Sequence, residues 1–409
     1  MDIRVIFLLG LEALLALFLL FRSGVLESRR ALLLSLLLLA AAFFVRGICL
    51  DYETLDYQDF LRHWVEHFRR SRGFAGLADP IGNYNIPYMY FLALFSYSDI
   101  DDLYLIKLTS VFFDVVLAWA SMQLLGMVRS GAAARLGCFF TVLFLPTVIL
   151  NGSLWGQCDS IYAALAVLSV YLALDDRPVL SVLSMTLSFG FKLQAVFLMP
   201  VMVVLWLLKK YKLWHFAIFP VGYVLLVLPA VLCGRPFIET LTLYSSQTGS
   251  IGDGLNYNSS SVYALFDGIQ NETAAAELGI AAAFGFMLLV LLVCFMKRRR
   301  LNNAAVLAVS VLLAVGVPFL LPHMHDRYFF LADVLTVVMA FACVQYMASA
   351  LLTQFASLLG YHAYLRMRYF LPMRYGSYAL MATLLMAAVM LIVALRKGKA
   401  DFLPDPEGS

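Results

Sequence analysis

Four short stretches of this 409-residue chain carry side chains whose types and spacing suit chemistry. The first runs Asp51-Tyr-Glu-Thr-Leu-Asp56-Tyr-Gln-Asp59-Phe-Leu-Arg-His-Trp64. A carboxylate held at a surface can take a proton from a hydroxyl, so Asp56 reads as a general base, with Asp51 as the alternative. Asp56 also stands where a side-chain carboxylate caps a helix, because Phe60, Leu61, Trp64, Val65 and Phe68 recur at helical spacing beyond it. Asp59 falls on the solvated side. The second stretch, Asn151-Gly-Ser-Leu-Trp155-Gly-Gln157-Cys-Asp159-Ser160, sets an aromatic face beside amides and a carboxylate. That set suits contact with a carbohydrate, and equally a polar turn with a tryptophan at a membrane interface. The third places Lys192 and Gln194 inside an apolar run. A lysine there is costly unless paired or at the surface, so it is either a snorkelling side chain or a cation for a phosphate on a lipid. The fourth is Pro322-His323-Met-His325-Asp326-Arg327-Tyr328. His-x-His-Asp can ligate a metal, and the planar fork of Arg327 suits a phosphate.

The elements that must position these groups are membrane helices. Hydrophobic residues make up 63% of the chain and charged residues 13%, against roughly 25% charged in soluble proteins. That excludes a soluble enzyme, a disordered chain and a disulfide scaffold, and uninterrupted apolar runs exclude an outer-membrane barrel. The six cysteines stand singly, with no zinc or disulfide spacing. Apolar runs fall at 3–21, 31–49, 104–127, 136–150, 159–174, 178–191, 193–208, 213–232, 273–296, 303–321, 328–345, 346–363 and 376–396. The expectation is an all-α, polytopic transmembrane helix bundle of about 13 spans, with amphipathic helices in its outer loops. The run 86–98 is too short to cross and is placed in or near the interface.

Basic residues orient the chain. Arg22, Arg29, Arg30, Arg129, Arg135, Arg177, Lys209, Lys210, Lys212, Lys297–Arg300, Arg396, Lys397 and Lys399 sit in short connectors and mark the cytoplasmic side. All four polar stretches and the long loops 50–103 and 234–272 then face outside. The organisation reads as an uncleaved anchor helix and cytoplasmic turn (1–30), a catalytic core (31–345), C-terminal transmembrane helices (346–396) and a cytoplasmic tail (397–409). Lys107 and Asp114 are the main ionisable residues at mid-span. No internal repeat is visible, which weakens a transporter built from two related bundles.

In this order the four stretches resemble the GT-C class of integral-membrane glycosyltransferases, specifically bacterial relatives of the second GPI mannosyltransferase. The resemblance rests on Asp56-Tyr57 with Phe60-Leu61-Arg62-His63-Trp64, on Tyr84-Asn85-Ile86-Pro87-Tyr88-Met89-Tyr90, on Trp155–Ser160, on Lys192–Ala195 and on His323–Tyr328. Asp326 stands where that family has Glu, and Asn83 where it often has Asp. The resemblance implies an inverting transfer of a hexose, mannose being the family's commonest label, from a polyprenyl-phosphate donor at the outer face of a bacterial plasma membrane. The acceptor is a glycolipid, polysaccharide or protein; membrane lipid is the other partner, and no nucleic acid is expected. Asp56 would be the base. Arg327, His325, Lys192 and His323 would face the donor phosphate. Asn151, Trp155, Gln157, Asp159, Gln194, Asp326 and Tyr84 would hold sugar or acceptor. No cofactor is required, although Asp159 and Asp56 could share a divalent metal, magnesium or manganese. The loop 234–272, with Gly249, Gly252, Gly254, Asn256 and Asn258, would form a mobile lid. A lipid-linked sugar flippase or other transporter, a polysaccharide polymerase or ligase, and a non-catalytic assembly subunit are the competing expectations.

Overall fold

The computed structural model describes residues 2–248, 254–266 and 268–398. Gly249, Gly252, Asp267, Lys399 and nearly all of the tail lie outside the described residues. The chain is all-α, apart from a two-residue parallel bridge that pairs Asn256 with Met324 and Tyr257 with His325.

The helices follow the apolar runs. They are α1 (Ile3–Arg22), α2 (Arg29–Cys49), α3 (Arg62–Arg70), α4 (Ile86–Phe95), α5 (Asp102–Gly126), α6 (Ala132–Phe144), α7 (Asp159–Leu174) and α8 (Pro178–Phe191). There follow α9 (Leu193–Leu207), α10 (Leu213–Leu232), α11 (Glu272–Met296), α12 (Asn303–Leu320), α13 (Phe330–Ala342), α14 (Met347–Arg366) and α15 (Arg374–Lys397). Among the described residues, seven of these are long and apolar enough to cross a membrane: α1, α2, α5, α10, α11, α12 and α15. An eighth is α6 taken with Pro146–Trp155, bent by 46°. Pro146 explains the bend, since the residue before a proline is driven out of helical conformation, and Leu145 has ψ 127°.

Of the remaining apolar runs, 346–363 forms the 20-residue α14, which is not among those seven, and the others form shorter helices. At ten residues α4 rises about 15 Å, so it is too short to cross. It packs its apolar side chains on α3 and does not float free. Lys192 adopts an extended backbone (φ −153°, ψ 134°) and divides α8 from α9. Central and peripheral helices separate by burial. In α12 89% of the apolar window is buried, against 22% in α1 and α11, which leave large leucines and phenylalanines such as Phe7, Leu14, Phe18, Leu278, Phe284 and Leu288 exposed for lipid. α1 still packs on α2 and α5, and Trp119 of α5 donates to Ser23 just beyond α1 at 3.1 Å.

Residues 57–70 form the expected amphipathic helix, with a π-helical first part (Tyr57–Leu61) running into α3. Its apolar face is not laid on lipid. Tyr57, Leu61, Trp64, Val65 and Phe68 are buried against Leu77 and against Met89 and Leu92 of α4.

Candidate active site

The four polar stretches meet. A cavity of about 430 Å³ is lined by Asp56, Trp64, Tyr84, Asn85, Gln157, Lys192, Gln194, Tyr244, Tyr257, His325, Arg327 and Tyr328, with apolar Phe60, Phe191 and Leu193. These residues come from helix ends and connectors: the start of the 57–70 helix, the segment before α4, the turn before α7, the α8–α9 break, the 234–272 loop and the α12–α13 connector.

Asp56 is not a helix cap. Helical backbone begins one residue earlier, at Leu55, and the Asp56 side chain bonds no backbone N–H. Its carboxylate instead accepts three side-chain hydrogen bonds. Trp155 Nε1 and Gln157 Nε2 donate to Oδ2 at 2.9 and 2.6 Å, and the Tyr364 hydroxyl donates to Oδ1 at 2.8 Å. Gln157 is oriented in turn, because its Oε1 accepts from the Tyr84 hydroxyl at 2.8 Å. The alternative base, Asp51, lies elsewhere: it accepts from Tyr104 at 2.7 Å, is exposed, and does not line the cavity.

Two cations also line the cavity. Lys192 Nζ lies 2.5 Å from Asp159 Oδ1 and 5.7 Å from the centre of the Tyr84 ring. Arg327 stands 3.6 Å from Asp159 and 3.5 Å from Asp326, both longer than hydrogen bonds, and its Nε has no hydrogen-bond partner among the described residues. The guanidinium lies 5.1 Å from the centre of the Trp155 ring.

Several residues expected to touch a ligand support the wall from behind. Trp155 is fully buried: Tyr364 stacks on it at 4.0 Å and 14°, Tyr361 meets it edge-on, and Arg327 covers it too. No ring face is left for a sugar. Asn151 is buried and donates to Asp159 at 2.8 Å and to the Tyr361 hydroxyl at 2.9 Å. Asp159 is buried beneath Lys192 and Arg327. His323, expected at the phosphate, does not line the cavity. His323 itself holds a left-handed φ of 61°; its Nδ1 lies 2.8 Å from the Gly254 carbonyl and its backbone N–H donates to the Leu255 carbonyl, and these bonds clip the two connectors together. Asp326 is likewise buried and off the wall. Gly360 of α14 lets this connector approach, since a Cβ there would lie 2.7 Å from the Asn258 carbonyl oxygen and 2.9 Å from that of Asp326.

His325 does reach the wall, stacked on Tyr257 at 4.7 Å and 14°. Burial, with Arg327 and Lys192 nearby, pushes its imidazole down to about 4, which favours the neutral ring near pH 7. Burial pushes the Asp326 carboxyl up to about 7, against the pull of Arg327. The two act oppositely on stability. From pH 6.5 down to about 4 the unfolded chain protonates His325 and the folded chain does not, so that group loses stability as pH falls. From pH 3.8 up to about 7 the folded chain retains the Asp326 proton and the unfolded chain does not, so that group loses stability as pH rises. Relative to wild type, detergent-solubilised Asp326→Asn is expected to show a melting temperature whose slope against pH across 4.5–6.5 is more positive, and His325→Gln one whose slope is more negative. Identical pH slopes in wild type and both variants would exclude these assignments.

The residues do not fit a metal. Among the described residues no group of three His, Cys, Asp or Glu side chains is placed to hold one. Asp159 is already opposed by two cations, and Asp56 offers its lone pairs to three donors.

Tyr364, Tyr257, Tyr244 and Asn85 were not singled out as site residues by the sequence. Asn85 is buried, donating to the Gly190 carbonyl at 2.8 Å. The only sequence signal for Tyr364 is the pair Tyr361-x-x-Tyr364 one helical turn apart, within a run read for hydropathy alone. No protein-family model matches this chain, and no curated protein matches it significantly.

Proposed function

We propose that this chain is a GT-C-class glycosyltransferase, built on about thirteen membrane elements, that moves a hexose from a polyprenyl-phosphate donor to an acceptor hydroxyl at the outer face of the membrane. One observation carries the reading: a hydrogen-bonded carboxylate, Asp56, and two cations, Arg327 and Lys192, line one cavity among helix ends. A donor with its lipid in the bilayer, its phosphate at the interface and its sugar in water needs that arrangement. The basic residues of the short connectors support the outward orientation.

In the proposed step the acceptor oxygen attacks C1 of the sugar from the face opposite the phosphate, and the configuration inverts. The acceptor proton passes to Asp56. The C1–O bond to phosphate breaks, and polyprenyl phosphate leaves with the electron pair. Arg327 and Lys192 stabilise the charge that grows on it, with His325 as a neutral hydrogen-bonding partner. Tyr84, Gln157 and Gln194 hold sugar hydroxyls, and Tyr257 and Trp64 offer rings for the sugar face. Mannose is the sugar the resemblance favours.

The test uses purified protein in liposomes with radiolabelled polyprenyl-phospho-hexoses and a mixture of glycolipid and polysaccharide acceptors. Label is expected to pass covalently to an acceptor with inversion at C1. Label crossing the bilayer on unchanged donor would sink the reading in favour of a transporter. Transfer only from a diphosphate-linked donor would sink it in favour of a polymerase or ligase.

A further inference from the structure

We propose that Tyr364 is a positioning residue for Asp56, selecting Oδ1 as the oxygen that receives the acceptor's proton; this rests on the glycosyltransferase reading. A carboxylate has about four lone-pair sites on two oxygens. On Asp56, Oδ2 is filled by Trp155 Nε1 and Gln157 Nε2, and one site on Oδ1 is filled by the Tyr364 hydroxyl. The site that remains is on Oδ1. Tyr364 therefore binds the reacting oxygen itself, while the other two donors bind the spectator oxygen.

The same residue controls one of those donors. Its ring stacks on Trp155 at 4.0 Å and 14°, and Trp155 carries the N–H that bonds Oδ2. One turn earlier, Tyr361 meets Trp155 edge-on at 5.5 Å and accepts a hydrogen bond from Asn151. α14 thus grips the tryptophan with two rings and reaches past it with one hydroxyl to the base. A carboxylate held at both oxygens keeps its plane fixed as the acceptor arrives, and misplacement of a reacting group by a fraction of an ångström lowers the rate constant without weakening donor binding.

Tyr364→Phe removes the hydroxyl and keeps the ring on Trp155. Transfer from polyprenyl-phospho-hexose is expected to show a kcat lower by about tenfold, with the donor KM unchanged. The decisive readout is the background. In Asp56→Asn there is no base to position, so adding Tyr364→Phe is expected to cost no further rate in single-turnover counting of labelled product. Tyr361→Phe, on the same helix and the same tryptophan but bonded to Asn151, is expected to cost the same small factor in both backgrounds. Melting temperature in detergent reports that each variant is folded. Should Tyr364→Phe fail to fold, Tyr364→His, which keeps a ring but is too short to reach Oδ1, replaces it with the same background test. An equal loss in both backgrounds, an unchanged kcat, or a raised KM alone would overturn the proposal while leaving the enzyme reading standing. A wild-type protein that transfers no hexose overturns both.

Discussion

Replacing Asp56 with asparagine is expected to lower hexose transfer by roughly 10²–10⁴-fold, the range by which a positioned base accelerates a reaction, while leaving the melting temperature nearly unchanged. The geometry allows this separation. The asparagine Oδ1 can take the place of Oδ2 and accept from both Trp155 and Gln157. Its Nδ2 can then donate to the Tyr364 hydroxyl oxygen, which reverses the bond now running from Tyr364 to Oδ1. Every partner keeps a hydrogen bond, the volume is conserved, and only the capacity to take up a proton is lost. Asp56→Ala is a poorer probe, because it strips an acceptor from three donors at once and each donor left unmet costs about 1–3 kcal/mol. The measurement is single-turnover transfer beside a thermal melt in the same detergent. Near-normal turnover by Asp56→Asn would remove Asp56 from the chemistry and leave it a structural hub.

The sequence revealed the parts of this cavity more clearly than their roles. Polar residues in an apolar chain are conspicuous, so Asp56, Gln157, Lys192, Gln194, His325 and Arg327 could be picked out one by one, and all of them line one cavity. Depth was hidden. Asn151, Trp155, Asp159 and Asp326 look like ligand contacts in one dimension, but the fold packs them behind the wall, where Asp159 opposes Lys192 and Arg327, Asn151 donates to Asp159, and Trp155 donates to Asp56. Burying a cation demands a counter-charge beside it, and a sequence motif cannot distinguish the residue that meets the ligand from the one that holds it. Tyr364 was hidden for another reason. A tyrosine adds little to a hydropathy profile, and its bond to Asp56 spans 308 positions. Helix existence was legible from apolar runs, and so was the division at Lys192, which separates the runs 178–191 and 193–208, whereas the break after Phe144, inside the single run 136–150, follows from Pro146.

The second large effect is expected at the ion pair within the bundle. Arg46 of α2 and Asp114 of α5 are both fully buried, joined by Nε and Nη2 bonds to Oδ2 at 3.2 and 3.0 Å. Arg46 also donates to the Leu143 carbonyl at 2.9 Å, and Asp114 accepts from Ser160. The pair forms the floor of the site. A Cβ on Gly152 would lie 3.4 Å from either Asp114 oxygen, so the turn carrying Trp155 and Gln157 rests directly on that carboxylate, and Ser110, one turn before Asp114, donates to the Gln157 carbonyl at 2.7 Å. Lys107, expected at mid-span, lies instead near the start of α5 and is structural as well: its Nζ donates to the Cys49, Leu50 and Tyr52 carbonyls at the end of α2. Removing one member of a buried pair strands the other without water, so Arg46→Met alone is expected to cost roughly 3–5 kcal/mol. Asp114→Asn alone is expected to cost a similar amount. Together they leave no stranded member of this pair, and the double variant is expected to be more stable than either single variant, a non-additivity read by thermal or denaturant melts of all four proteins. Because Gln157 is carried on this floor, the single variants should also lose transfer activity, and the double variant should regain part of it. Additive losses in the double variant would mean that each charge is satisfied independently and that the turn does not depend on the pair.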